Sequence, residues 1–438
     1  MSVTRWSPTS ALGRAASIGA LGLVSGLTMG RPWLVAVGVA FLIHAVLGLT
    51  LRGRTTPVLA STLDQRSLHE GQATRSRLLA RTDSGSSFDG IELIVRTVGR
   101  TAFVATDPSS GTSHTLHPEG AALPAPLAFG VKRWGRTQLA EEKVALFSGW
   151  AGFVWGPQSL GQQTVLVLPS RPHRSDAAAP APHPVGVVGA HRSRRPGSGI
   201  ELAGIRPFTV GDRLRRIHWR STLRTGTMQT VVSDAEEDAS ILLLVDGLAD
   251  HGRSGGLDGA ESSLDITLRA AATIADHHLR IGDRVGLRVI GGGGAVVPVS
   301  AGTTHVYRIL GALARIRPGG IALADEAHLT LRAPPGTVVV VLTPLLEQRP
   351  ADLAVLAARA RHDVVVVDTL PVTADPVIDE STSPGVAALA WRLRRLDREP
   401  VRRGLEAQGC AVVPWQGPPT LGRVLREIAR NRGRLVRP

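Results

Sequence analysis

One cysteine, Cys410, in 438 residues excludes an intramolecular disulfide, a CxxC redox pair and a thiolate metal cage. That scarcity fits a reducing compartment. Aromatic residues make up only 4% and include a single tyrosine, Tyr307, so the stacking platforms that hold single-stranded nucleic acid are missing. No nucleic-acid partner is expected. The chain contains no GxxxxGK[ST] loop, no GxSxG elbow and no HExxH pair, and so offers neither a nucleotide cradle nor a recognisable hydrolase nucleophile. The glycine run Gly291 to Gly294 precedes Ala295-Val296-Val297 in a strand-like context and reads as a hairpin turn.

What the chain has in excess is positive charge. Lys+Arg number 50 against 36 Asp+Glu, a formal net charge of +14, and nearly all the cations are Arg. GC-rich coding produces such a bias without any binding role. The same charge can hold a protein against anionic lipid, at about 1 kcal/mol per basic residue near the surface.

Two apolar runs open the sequence, Ala11 to Met29 and Trp33 to Leu51, separated by Gly30-Arg31-Pro32. Each has about the 20 residues that a helix needs to cross a bilayer core. A second apolar run, not a polar mature start, follows the first, which argues against a cleaved leader. The short connection forces a hairpin with both flanks on one side. Arg5, Arg14, Arg52 and Arg54 lie on the flanks against Arg31 at the turn, so the positive-inside rule places the flanks and the rest of the chain in the cytoplasm. The expectation is a cell-membrane protein with two spans over 1–54.

Residues 55–87 are polar and irregular and read as a connector. Residues 88–169 alternate as strands do, in Ile91 to Arg96, Thr101 to Val104, Val131 to Trp134 and Thr164 to Leu168, and predict a small β-sandwich-like insert. Residues 170–198 are rich in Pro, Ala, His and Arg with no apolar period, the composition of a linker. From 240 to 438 the pattern changes. Ile241-Leu242-Leu243-Leu244-Val245 ends in Asp246, as a parallel strand buried on both faces would. Strands at Arg284 to Ile290, Thr337 to Leu342, Asp363 to Val367 and Ala411 to Pro414 alternate with helical stretches. One of those stretches, Ala387 to Gln408, is expected to break near Pro400. The fold class is α/β with a doubly wound parallel sheet, whose ligands bind at the carboxyl ends of the strands. Asp246 sits at such an end. The pair His277 and His278, beside Asp276 near a helix end, reads as a surface feature.

The densest motif lies in 199–239. Glu201, Arg206, Phe208, Gly211, Asp212, Arg216, Ile217, His218, Trp219, Arg220 and Arg224 recur in an ordered Arg-rich pattern, with Leu214 and Leu223 interleaved. Guanidinium forks bind carboxylate and phosphate alike, so the cluster suits pairing within the chain as well as capture of an external anion.

This segment resembles the signature of the DUF58 family, with His218 where Asp is more common. The resemblance implies a membrane-anchored protein with a von Willebrand factor A-like domain and no established catalysis. It also implies an adaptor or assembly factor that docks a MoxR-type AAA+ ATPase at the cell envelope. On that reading Arg213, Arg216, Arg220 and Arg224 form ion pairs inside the protein or with the partner, Trp219 anchors the segment in the core, and Asp246 marks the docking face. A-like domains often hold Mg²⁺ on Asp-x-Ser-x-Ser. Here the stretch is Asp246-Gly247-Leu248-Ala249-Asp250, so no cofactor is expected and a Mg²⁺ site on Asp246 and Asp250 would be degenerate. Thr303 or Thr304 would supply the second-loop hydroxyl. The rival reading is a metal-assisted cell-envelope hydrolase that uses Asp246 and Asp250.

Overall fold

The structure is a computed structural model. It describes 5–81, 89–97, 102–104, 113–116, 123–171, 192–209, 214–236, 240–319, 333–334, 336–372, 374 and 383–434. Two compact units emerge, Met1–Leu168 with Gly255–Asp258, and Pro169–Ser254 with Gly259–Pro438.

The first unit opens with two antiparallel helices, α1 (Ser10–Thr28) and α2 (Pro32–Thr50). Both are long and apolar enough to cross a membrane. Small residues let their backbones touch: a methyl added at Gly38 would stand 2.6 Å from the Leu23 amide nitrogen, and one at Gly22 would stand 3.0 Å from the Gly38 Cα. Close backbone approach through glycine is the usual way that apolar helices associate when lipid removes the hydrophobic drive. The outward side chains, Leu21, Val24, Leu27, Val37 and Ile43 among them, are exposed and apolar.

Two β-sheets follow. One comprises β1 (Ser7–Pro8), β3 (Ser67–His69), β5 (Gly90–Thr97), β7 (Ser113–Leu116), β9 (Gly135–Ser148) and β10 (Phe153–Leu168), in the order β1-β10-β9-β5-β7 with β3 also on β10. The other comprises β2 (Val58–Leu63), β4 (Ala73–Arg81), β6 (Ala102–Val104) and β8 (Leu123–Val131), in the order β2-β4-β8-β6. Leu78, Ala80, Phe129 and Val131 of the second sheet share one core with Ile91, Leu139, Val144, Leu146, Trp155 and Val165 of the first. This is a sandwich of two sheets. It is larger than the sequence reading allowed, because 55–87, expected as a connector, carries β2, β3 and β4.

In the second unit, β11 (Arg192–Pro207) and β12 (Gln229–Glu236) form an antiparallel ribbon. Residues 192–198, expected in a linker, therefore belong to a strand; residues 172–191 of that segment lie outside the described residues. Between the two strands sit a 3₁₀ turn (Leu214–Arg216) and the short α3 (Trp219–Thr225).

The main sheet contains β13 (Ser240–Asp246), β14 (Arg284–Ile290), β15 (Val296–Ser300), β16 (Val338–Thr343), β17 (Asp363–Asp368) and β18 (Ala411–Pro414), in the order β15-β14-β13-β16-β17-β18. All its pairs are parallel except β14 with β15, which the Gly291 to Gly294 turn joins as expected. Val-rich strands such as β16, buried at every residue, suit a sheet covered on both faces. The helices are α4 (Ser263–Arg280), α5 (His305–Leu313), α6 (Gln348–Arg359), α7 (Pro384–Ala407) and α8 (Leu421–Arg434). Ala354 and Ala357 of α6 and Leu405 of α7 pack with Leu242, Leu244, Val339 and Val341. Helix α7 runs through Pro400 without the expected break. The carbonyl that Pro400 leaves without an amide partner belongs to Leu396, a residue on the exposed side of the helix.

Candidate functional site

At the carboxyl edge of the main sheet, Asp246 closes β13 and is 2% exposed. Its Oδ1 accepts the Leu248 amide at 3.1 Å and its Oδ2 accepts the Thr343 hydroxyl at 2.7 Å. Burial pushes its pKa up to about 6, against the two hydrogen bonds, and the nearby Glu347 carboxylate pushes the same way as burial. Asp250 Oδ1 accepts the Leu264 amide at 3.1 Å, in the first turn of α4, which Ser262 and Asp265 close as a capping box. Asp246 is thus no surface mark for a docking partner.

The residues at this edge do not fit a hard-cation site. Leu248 offers no side-chain oxygen, and both carboxylates already accept from the chain. Among the described residues no group of three or more His, Cys, Asp or Glu gathers in a way that could hold a metal. The threonine at Asp246 is Thr343; Thr304, the sequence candidate, stands at the start of α5.

The cations at this edge come from α7. Arg394 pairs with Glu347, and Arg398 pairs with Asp368 at the end of β17. Trp391 donates its indole N–H to the Ala374 carbonyl at 2.8 Å, with its ring 6.0 Å from that of His251. Burial lowers the His251 pKa, and Arg394 lowers it further. A cleft of about 290 Å³ lies at the Arg398–Asp368 pair, lined by Asp368, Arg395, Arg398, Arg402 and Pro414 among others. The sequence reading missed Glu347, Asp368 and the α7 arginines as a set. The run Val364-Val365-Val366-Val367-Asp368, which repeats the apolar-then-Asp ending of β13, was the available signal.

The Arg-rich signature spans a strand, a 3₁₀ turn and a short helix. Glu201 lies in β11, and Arg216 lies in the 3₁₀ turn. Gly211, Asp212 and Arg213 lie outside the described residues. Arg206 is half-buried and donates to the Pro207 carbonyl and to Thr209 Oγ1. His218 is the N-cap of α3, its Nδ1 accepting the Ser221 amide at 3.2 Å. Asp would serve the same purpose, which accounts for either residue at this place. Gly226 closes α3 at φ 73°, in the left-handed region.

Trp219 does not anchor the segment in the core. It is 63% exposed, Leu223 is 84% exposed, and Leu214 and Met228 are exposed as well. Residues 219 and 223 are one turn apart on a helix with no buried residue. Arg215, Arg220 and Arg224 are exposed beside them. The segment therefore presents apolar side chains interleaved with guanidinium groups to its surroundings. The histidine pair is also corrected: His278 is buried, with Nδ1 2.7 Å from Asp283 Oδ2.

Uncharacterised proteins of Mycobacterium tuberculosis (strain ATCC 25618 / H37Rv) and Mycobacterium bovis are each 27% identical to this chain over 194 residues, covering 42% of it. The chain spans 58% of the length of these curated relatives. A cohesin module from a Clostridium perfringens glycoside hydrolase aligns over 26% of this chain and 98% of its own at 14% identity, with a TM-score of 0.17. A membrane-spanning protein from Vibrio fischeri aligns over 44% and 98% at 16% identity, with a TM-score of 0.14. Neither likeness carries an argument about the fold. The family match falls on the ribbon, the exposed signature helix and the strands of the main sheet down to β17: residues 204–375 match the model of DUF58, a family described as a protein of unknown function.

Proposed function

We propose that this chain is a non-enzymatic, membrane-anchored adaptor that docks a cytoplasmic protein through its signature segment. The carrying observation is the exposure of Trp219 and Leu223, flanked by Arg220 and Arg224. Trp, Met and Arg are enriched in the central, energy-carrying parts of protein interfaces. An exposed indole in a helix of seven residues with no buried member contributes nothing to the domain's own core, so its use lies outside the domain.

On this reading α1 and α2 cross the cell membrane as a hairpin and the remainder of the chain is cytoplasmic. The main sheet is of the von Willebrand factor A-like, doubly wound kind. Its strand order, with β14 on one side of β13 and β16 on the other, supports that assignment. The partner is a MoxR-type AAA+ ATPase, as the resemblance of the signature implies. The patch fits an apolar groove with carboxylates at its rim, because guanidinium groups pair with carboxylates in two-pronged contacts.

The test is capture from cells by photocrosslinking at position 223 of the full-length protein, in the wild type and in Trp219→Ala. Recovery of an AAA+ ATPase that the variant loses supports docking at the signature. Equal recovery from both moves the contact elsewhere. If no protein is recovered, the adaptor reading fails.

A further inference from the structure

Helix α7 carries a second exposed feature that the signature does not use. Val386, Leu389, Leu393 and Leu396 are each more than half exposed. They follow one another at spacings of three, four and three, the a/d pattern of a two-stranded coiled coil. The opposite side of the same helix is the docked one. Trp391, Arg398 and Leu405, seven residues apart, meet Ala374, Asp368 and the core, respectively. The stripe therefore faces away from its own domain, and Pro400 at the next a position ends it.

The charges beside the stripe select its occupant. With Val386 and Leu393 at a, Arg392 takes a g position and Asp397 the following e position. Both are exposed, and neither has an ion-pair partner among the described residues. In a parallel pair of identical helices, a g residue faces the e residue five positions on in the other chain. That places Arg392 against Asp397 of the partner subunit, twice by symmetry. An antiparallel pair would set Arg392 against its own copy.

We infer that α7 is the dimerisation helix of this protein, pairing in parallel with α7 of a second copy through the Val386, Leu389, Leu393 and Leu396 seam, with Arg392 and Asp397 fixing the direction. The contact is isologous and closes at two subunits. It is independent of the adaptor reading, since the signature helix takes no part in it.

The experiment uses the full-length protein in membranes, with single cysteines introduced and a mild oxidant added. Cys410 is buried and stays silent in the unmodified control. Leu396→Cys is expected to form a disulfide-linked dimer, and Ala388→Cys, exposed but off the seam, is not. Arg392→Asp in the Leu396→Cys background is expected to lower the crosslinked fraction by about tenfold, and adding Asp397→Arg to restore it. The inference is overturned by absence of the Leu396→Cys dimer, by equal crosslinking at Ala388→Cys, or by failure of the double exchange to restore it. Crosslinking of Val386→Cys only to Leu396→Cys would mean an antiparallel pair and would overturn the assigned direction. Protection of Leu393→Cys from a water-soluble maleimide that follows anionic lipid content and not protein density would assign the stripe to the bilayer, against the inference.

Discussion

Thr343, the last residue of β16, donates its hydroxyl proton to Oδ2 of Asp246, the last residue of the neighbouring β13, at 2.7 Å. The same Thr343 oxygen accepts the Leu345 amide at 3.0 Å. The contact ties together two loops at the strand ends, with one hydrogen bond from the chain on each Asp246 oxygen.

The position of Asp246 makes stability depend on pH in an unusual direction. Its folded pKa is about 6 against an ordinary 3.8, so between these values the folded chain holds a proton that the unfolded chain has released. Stability due to this group is highest below pH 4 and falls as pH rises to 6, by about 3 kcal/mol at most. Asp246→Asn keeps the shape and removes the ionisation. Urea melts should show the variant more stable than wild type at pH 7.5, with the gap closing at pH 4. A gap independent of pH would contradict the burial account.

Magnesium should leave the fold unchanged. With Leu248 lacking an oxygen and both Asp246 and Asp250 engaged, millimolar Mg²⁺ or Mn²⁺ is expected to shift the melting temperature by less than about 1 °C, since only binding to the folded state stabilises. A rise of several degrees that Asp246→Ala abolishes would revive the metal-assisted reading.

Breaking the His278 and Asp283 pair should cost about 2 kcal/mol, because Asp283→Ala takes the carboxylate away from a buried imidazole nitrogen. Double replacement by apolar residues of similar size, His278→Leu with Asp283→Leu, should cost less than the single change. Chemical denaturation of the three variants checks the order.

Gly38→Leu should open the helix hairpin. A side chain there meets the Leu23 backbone and not a movable side chain, and close packing cannot be recovered by rotation. Cysteine pairs placed across α1 and α2 should crosslink in wild-type membranes and lose most of that yield in the variant, whereas Gly13→Leu, at an open position, should keep it.

Much of this was legible in the sequence where the signal was apolar and continuous. The buried runs of β13, β16 and β17 and the two long helices declare themselves by length and hydropathy. Strand β4 did not, because alternate residues Thr74, Ser76, Leu78 and Ala80 face inward; the period of two is present, but half of its inward members are small and polar. Thr74 and Ser76 are buried with hydrogen bonds to the Gln65 carbonyl and to Glu142, which no hydropathy pattern encodes. Trp219 misled for the converse reason. Size and apolarity suggested a core residue, but a seven-residue helix on a ribbon has no core to enter. Arg394 and Arg398 are paired through contacts some 30 to 47 residues away in sequence, and no local spacing announces such pairs.

The measurement closest to the central claim compares wild-type protein with Trp219→Ala and Leu223→Ala, in melting temperature and in capture of the proposed AAA+ ATPase partner from cells. Because both side chains are exposed, the account predicts melting within about 1 °C of wild type together with loss of most of the captured ATPase. Variants that melt early would show these residues to be structural, and stable variants with undiminished capture would show that docking lies elsewhere; either result contradicts the account.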